Sequence, residues 1–201
     1  QLEDIVNYKA FEQAIDGYSK VKKRNRDILT LIDFSKPSTE ERLYVFDMKN
    51  QRLLFTSHVA HGKNSGGNYA PSFSNKNGSH KSSLGFYVTG TTYQSRTNGY
   101  SLLLEGLEKG INDNALARSI VIHAADYANP DIIESSGRLG RSFGCPALPE
   151  DKNEVIINAI KGGALLFIYA DDQDYLAKSA ILSQPTTKKS TSEDNTESAT
   201  M

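Results

Sequence analysis

The residues most able to do chemistry surround Cys145, the single cysteine of the 201-residue chain, which lies between Gly144 and Pro146. Arg138 and Arg141 precede it. Glycine permits backbone angles that are closed to other residues and proline fixes φ, so this pattern is typical of a turn that presents its side chain outward. Nearby guanidinium groups would favour the thiolate, the nucleophilic form of cysteine. The pattern predicts a nucleophile on a turn, and a lone cysteine excludes an intramolecular disulfide.

A thiol nucleophile needs a base within hydrogen-bond reach, and that base is most often a histidine. Among the four histidines of the chain, His123 has the best position, because it ends the β-branched run 119–123 and a loop pattern follows it. A side chain where a buried strand meets a loop is held by the sheet and can open to a cleft. We therefore predict that His123 is the base for Cys145.

The remaining histidines, His58, His61 and His80, raise the question of a metal site. On a strand, His58 and His61 would point to opposite faces, because they are three positions apart. A zinc site that uses these histidines or Cys145 is an alternative on residue types, but the spacing of zinc ligands is not recognisable. We expect no metal and no cofactor.

The Gly-, Ser- and Asn-rich segment 61–83 lacks the Gly-Lys-Ser/Thr ending of a phosphate-binding loop, and its length is typical of a functional or mobile loop.

Composition limits the class of protein. A chain of this length with 38% hydrophobic residues is expected to form one domain with a full core. The net charge of −1 argues against nucleic acid as the main partner. No apolar run approaches the roughly 20 residues of a membrane helix, and no signal-peptide pattern opens the chain. We expect a monomer without stable membrane insertion and, because the chain begins at Gln1, a mature or trimmed form.

The elements that must position the two reactive residues are predicted to be strands with helices around them. Apolar residues recur near the 3.6-residue spacing over residues 1–30, which predicts an amphipathic helical segment, interrupted at Gly17 and packed on the core. A partner-binding or membrane-surface helix is the alternative there. Strands are predicted from residue 28 to residue 60, and a short helix over residues 112–118. Residues 184–201 are almost free of apolar side chains and are predicted to be a disordered polar tail.

Several motifs in order make the chain similar to a known family. They are residues 31–35, 42–47, 59–62, 73–75, 82–87 and 140–147. A histidine at a strand end, about twenty residues of loop and then Ser-x-Gly-Cys complete the pattern. The chain resembles the murein L,D-transpeptidase catalytic domain family, a group of YkuD-type cysteine L,D-transpeptidases, over roughly residues 10–169.

The resemblance implies a fold that is mainly β with peripheral helices (α+β). The expected architecture is a mixed β-sandwich or barrel over residues 31–183, preceded by the N-terminal helical segment. It also implies a periplasmic or secreted protein that acts on peptidoglycan stem peptides and is a carbapenem target. In the implied reaction, Cys145 attacks a stem-peptide carbonyl and His123 transfers the protons. The acyl-enzyme then passes its acyl group to an amine, which forms a cross-link.

The resemblance and the turn together suggest further site residues. The backbone N–H groups of Gly144 and Cys145 are the candidates for an oxyanion hole, because Pro146 has no N–H. The family pattern also implies a role for the main-chain carbonyl of Ala124. Phe143 stands where the commoner family members have a second histidine, so acceptor recognition is expected to differ, and we include Phe143 among the substrate-binding candidates.

Four other residues are candidates for the site. Arg141 could hold a substrate carboxylate, favour the thiolate, or form a surface salt bridge. Ser142 could cap the turn or contact substrate. The resemblance suggests that His61 lines the active cleft. It also makes Tyr87 a candidate groove wall, with a half-buried cross-strand tyrosine as the alternative.

Two alternative functions remain open on the sequence. With water as the acceptor, the same acyl-enzyme would make the protein a carboxypeptidase or an endopeptidase. A non-catalytic wall-binding module is the third interpretation, against which the presence of both Cys145 and His123 argues.

Overall fold

Eight β-strands form the centre of the computed structural model, which describes residues 5–183. The strands are β1 (Ile28–Asp33), β2 (Leu43–Asp47), β3 (Arg52–Ser57), β4 (Gly85–Ser95), β5 (Gly99–Gly106), β6 (Val121–Ala124), β7 (Ala147–Leu148) and β8 (Leu165–Tyr169). Their order across the sheet is β3-β2-β1-β8-β4-β5-β6-β7. The pairs β1–β8 and β6–β7 are parallel and the others are antiparallel. A mixed sheet of this kind confirms the predicted fold class.

Within residues 5–183, five α-helices surround the sheet. They are α1 (Tyr8–Lys20), α2 (Ile132–Ser136), α3 (Glu150–Ile160), α4 (Gln173–Lys178) and α5 (Ala180–Ser183). The side chain of Asn7 caps α1 by accepting hydrogen bonds from the backbone N–H groups of Lys9 and Ala10. None of the helices within residues 5–183 combines the length and apolar character that crossing a membrane requires.

The strands at the centre of the sheet are buried on both faces. All five residues of β8 are buried, and β1 is buried at every position after Ile28. Strands that are covered on both sides read as continuous apolar runs rather than alternating ones. This coverage explains why residues 165–169 are apolar throughout and why residues 28–33 are apolar except for Thr30 and Asp33, which are buried as well.

The N-terminal segment differs from its prediction in two respects. α1 ends at Lys20, residues 21–27 are irregular and β1 already begins at Ile28, so the expectation of helix as far as residue 30 is wrong. The expected interruption at Gly17 is also wrong, because α1 runs through it. The division between a segment 1–30 and a domain 31–183 stays a prediction.

Two further expectations concern other parts of the chain. Residues 112–118 form a series of turns and not the short helix that was expected. The predicted disordered tail, residues 184–201, lies outside the described residues.

Gly17 is present in α1 because the helix packs closely on Phe86. A Cβ atom at Gly17 would stand 2.1 Å from Phe86 Cζ. The Phe86 ring cannot easily move away, because it stacks on Phe167 with the ring centroids 4.2 Å apart. Packing of α1 on Phe86 thus requires glycine at this position, despite the poor intrinsic helix propensity of glycine.

We predict that Gly17→Ala destabilises the protein by roughly 1–2 kcal/mol. The gain in helix propensity of about 1 kcal/mol is outweighed by overpacking against Phe86. Urea unfolding followed by circular dichroism measures the change. Ser19→Ala is the matched control on the exposed side of α1 and should stay within about 0.5 kcal/mol of the parent. A stabilised Gly17→Ala variant would contradict the close packing.

Candidate active site

Cys145 lies on a turn that its own neighbours close. The Ser142 hydroxyl donates to the Cys145 carbonyl at 2.6 Å and accepts from the Gly144 N–H at 3.0 Å. Gly144 has a φ of +128°, and a Cβ atom there would stand 2.9 Å from the Lys81 carbonyl oxygen. Both the backbone angle and the lack of space require glycine. Of the two interpretations of Ser142, the structure shows the capping of the turn.

His123 reaches the same site through strand pairing. β6 and β7 are parallel, with His123 opposite Ala147, two residues beyond the cysteine. The side chains of Cys145 and His123 line one cavity of about 800 Å³. The tip of the β4–β5 hairpin and the turn after β6 supply other walls of this cavity. The fold therefore brings together the two residues that the sequence predicts as nucleophile and base.

The hydrogen bond of His123 defines which ring nitrogen is available. Its Nδ1 lies 2.7 Å from the backbone carbonyl oxygen of Ala124. Because a carbonyl oxygen only accepts, we assign the proton to Nδ1, which leaves Nε2 unprotonated. A neutral imidazole with this tautomer is ready to accept a proton at Nε2.

Burial favours the neutral forms of both residues. Burial raises the pKa of the Cys145 thiol, and the Val121 N–H and the Arg118 charge partly oppose this effect. Burial likewise lowers the pKa of His123, and the bond to the Ala124 carbonyl partly opposes it. Within residues 5–183, the hydrogen-bond partners of the thiol are the Val121 N–H at 3.5 Å and the Ser119 carbonyl at 3.6 Å. The resting pair is therefore a neutral thiol and a neutral imidazole.

The guanidinium that acts on the thiol belongs to Arg118 rather than to the two arginines nearest in sequence. Arg138 donates to the Leu139 carbonyl at 2.7 Å. Arg141 donates through Nη1 to the carbonyls of Lys63 and Gly66, and not to Asp126 or Glu134. Arg118 was not among the predicted site residues, and its place three positions before β6 is the only signal in the sequence.

Arg141 is exposed and lines the cavity. Within residues 5–183, its Nη2 and Nε groups have no hydrogen-bond partner, because the two bonds to carbonyls use Nη1 alone. Three N–H donors of the guanidinium are thus available for a ligand at the rim of the cavity.

His61 does not line the cleft, so this expectation is wrong. The side chain is completely buried, with Nδ1 at 2.8 Å from Arg42 Nη2 and Nε2 at 3.5 Å from the Gly66 carbonyl oxygen. Burial and the Arg42 charge lower the pKa of His61 to about 3. His61 supports the site indirectly, because its backbone carbonyl accepts from the Ser142 N–H at 2.9 Å.

Tyr87 is also displaced from its expected place. It is fully buried in the core, where its hydroxyl donates to the Ser83 carbonyl at 2.9 Å, so it forms no groove wall.

Phe143, in contrast, is 67% exposed at the rim of the cavity. Its ring lies 4.7 Å from the ring of His80 and 4.5 Å from Lys63 Nζ. Phe143 therefore offers an apolar surface beside Cys145.

Closure of the turn by Ser142 leaves only one of the two N–H donors that were predicted for the oxyanion hole. The Gly144 N–H is used by Ser142 and is not available to a ligand, which corrects its predicted role. The Cys145 N–H has no acceptor within residues 5–183. Of the two predicted donors, the Cys145 N–H is the one left for a developing oxyanion.

The long segment 61–83 is held against the turn by buried serines. The Ser82 hydroxyl accepts from the Gly62 N–H and donates to the Gly144 carbonyl, both at 3.0 Å. The Ser65 hydroxyl accepts from the Ser82 N–H at 2.9 Å.

Within the described part of the chain, no three His, Cys, Asp or Glu side chains lie close enough together to hold a metal ion.

Comparison of the sequence with known protein families identifies the family of this chain. A sequence profile of the L,D-transpeptidase catalytic domain matches residues 2–169, which confirms the resemblance. No curated protein matches the chain. Among solved structures, an L,D-transpeptidase from Mycobacterium smegmatis is 15% identical, with 72% of this chain and 59% of that one aligned at a TM-score of 0.45. The helical cell shape determining protein Pgp2 from Campylobacter jejuni is 15% identical, with 84% and 58% aligned at a TM-score of 0.48. The chain thus spans about three-fifths of the length of these proteins.

We predict that the buried His61 makes stability depend on pH. The unfolded histidine takes up a proton below about pH 6.5, whereas the folded one resists protonation down to about pH 3. The unfolded state therefore binds more protons in this window, and the free energy of unfolding falls as the pH falls through it. Between pH 7 and pH 4.5 the loss is about 2–3 kcal/mol.

Urea unfolding at these two pH values, on the parent and on His61→Asn, measures the contribution of His61. Asparagine keeps an acceptor near the position of Nδ1 but does not titrate. The parent should lose about 2–3 kcal/mol more than the variant between the two pH values. Equal losses would show that His61 is not held neutral.

Proposed function

The chain belongs to the family of L,D-transpeptidase catalytic domains, and from that premise we propose that it is a cysteine acyl-transferase that forms cross-links between peptidoglycan stem peptides. Family membership supports a function related to peptidoglycan. The observation that carries the finer proposal is the shared cavity, in which a thiol on a fixed turn and an imidazole with a free Nε2 face the same space. We also propose that the protein acts in the cell envelope as a monomer.

The proposed reaction begins with a proton transfer, because both reactive groups are neutral at rest. Cys145 Sγ attacks the carbonyl carbon of a stem-peptide bond between a diamino acid and a terminal D-alanine, and the thiol proton passes to His123 Nε2. The tetrahedral intermediate collapses when the C–N bond breaks, and the imidazolium gives its proton to the departing amine. A thioester and free D-alanine result.

The second half of the reaction reverses these roles. An acceptor amine attacks the thioester carbonyl, and His123 takes the proton of this amine. When the C–S bond breaks, the imidazolium returns a proton to Cys145, so the enzyme is restored and a new amide joins two stems. His123 acts as acid and base in both halves without a net change in its protonation.

Substrate binding is assigned to the rim of the cavity. The three available N–H donors of Arg141 suit a carboxylate, which stem peptides carry in several places. Phe143 supplies apolar contact area next to the nucleophile. The Cys145 N–H is the proposed donor to the oxyanion of the tetrahedral intermediate.

Incubation with purified muropeptides, followed by mass spectrometry of the products, tests the proposal. Cross-linked dimers are expected from the parent, none from Cys145→Ala, and a rate about 10²–10⁴-fold lower from His123→Gln. His58→Gln is the matched control, because His58 contacts the Thr39 carbonyl outside the cavity, and it should keep the parental rate.

The other outcomes of this experiment identify the alternatives. Shortened monomers without dimers would mean that water is the acceptor and that the protein is a carboxypeptidase or an endopeptidase. Binding of muropeptides without any product would indicate a non-catalytic wall-binding module and contradict the proposed acyl transfer.

We further predict that the rate of Cys145 acylation by a carbapenem falls on the acidic side with a midpoint below about pH 6.5. The base must be neutral to accept the thiol proton, and burial lowers the pKa of His123 from its ordinary value. Mass spectrometry of the adduct between pH 4 and pH 8 measures the profile. His123→Gln should lose this acidic limb, and a midpoint above pH 6.5 in the parent would argue against a buried His123 as the base.

A further inference from the structure

Arg118 is held by four hydrogen bonds to one segment of the chain. Nη1 donates to the Ser74 carbonyl at 2.7 Å and to the Ser83 hydroxyl at 2.6 Å. Nη2 donates to the Lys81 carbonyl at 2.6 Å and to the Ser79 hydroxyl at 3.2 Å. The guanidinium is partly buried and lines the same cavity as the nucleophile.

These bonds decide what Arg118 can do in the cavity. A guanidinium has four N–H groups on its two terminal nitrogens, and here all four are used. Arg118 therefore has no pair of parallel donors left for a substrate carboxylate. Its partners are carbonyls and hydroxyls, and within residues 5–183 no carboxylate neutralises its charge. What Arg118 gives to the cavity is a fixed positive charge.

The charge lies beside the turn of the nucleophile. Arg118 Nη2 is 3.3 Å from the point where a Cβ atom of Gly144 would stand, and the Lys81 carbonyl that it binds is 2.9 Å from that point. The guanidinium thus fills the space next to the residue that precedes Cys145. A positive charge near a thiol favours the thiolate, and partial burial reduces the screening of this effect by water.

We propose that Arg118 is a positioning residue which holds segment 74–83 against the Cys145 turn and, from that fixed place, stabilises the Cys145 thiolate. This role divides the work between two arginines. Arg118 acts on the nucleophile through its charge, and Arg141 has free donors for a ligand. The consequence for catalysis rests on the proposed function, but the effect on the thiol can be measured without any peptidoglycan.

The test is the pH dependence of Cys145 alkylation by iodoacetamide, an uncharged probe, on the full chain. In Arg118→Gln the midpoint of the alkylation profile should rise by about one pH unit, so the rate at pH 7 should fall about tenfold. Arg118→Lys keeps the charge and should keep the midpoint within a few tenths of a unit. The rate at high pH reports access to the thiol separately, because there the thiol is ionised in every variant.

Two further variants separate charge from structure. Ser83→Ala removes one partner of the guanidinium but not its charge, and Arg141→Gln removes the charge of the other arginine that lines the cavity. Both should keep the parental midpoint. The proposal is overturned if Arg118→Gln titrates like the parent, or if Ser83→Ala or Arg141→Gln raises the midpoint as much as Arg118→Gln does.

The proposal can be tested even if Arg118→Gln does not fold. Arg118→Lys and Ser83→Ala then decide, because the proposal requires the parental midpoint in both, and a rise of about one unit in either contradicts it. The outcome is also separable from the proposed function. A raised midpoint in Arg118→Gln together with no muropeptide product in the parent would overturn acyl transfer and leave the role of Arg118 supported.

Discussion

The parallel pairing of β6 with β7 is the constraint on which the site depends, because it brings His123 and the Cys145 turn to one cavity. β7 contains only two residues, and its few hydrogen bonds, each contributing about 1 kcal/mol, would not fix the turn alone. A second set of contacts completes it. The backbone of Ala60 pairs with Ala147, and Gly62 pairs with Ser142. The Cys145 turn is therefore held from both sides, by a strand and by segment 60–62.

Segment 60–62 in turn depends on a buried arginine. Arg42 is fully buried and donates through Nε and Nη2 to the Val59 carbonyl, at 3.1 and 2.8 Å, and through Nη2 to His61 Nδ1. Burial lowers the pKa of Arg42 to about 9, so the group stays charged at neutral pH. A buried charge that loses its partners destabilises a protein by about 3–5 kcal/mol, which makes this arrangement well determined. The position of the thiol is thus set by a chain of contacts that starts deep in the core.

The sequence predicts what depends on local geometry and fails where distant contacts decide. Gly144 beside Cys145 indicates a turn, and His123 at the end of a β-branched run indicates a strand end, because both are short-range patterns. Arg118 could not be recognised, since its role comes from segment 74–83, about forty positions away. Tyr87 lies in a motif that resembles the family, residues 82–87, but such a motif does not indicate which face of the strand is buried. The helix was wrongly expected to break at Gly17 because the reason for that glycine is a ring on another element.

Burial of Cys145 and His123 lowers the reactivity of the resting thiol and thereby raises its selectivity. Partial burial reduces the screening of charges around Cys145, but it also favours the neutral thiol, which is the less nucleophilic form. A neutral thiol reacts slowly with oxidants and stray electrophiles, since these reactions follow thiolate character. In the proposed reaction, Cys145 reacts with a carbonyl that is bound beside the sulfur while His123 takes the proton. The charge of Arg118 partly offsets the effect of burial on the thiol pKa, so that in the proposed reaction the thiolate is accessible and yet is not the resting state.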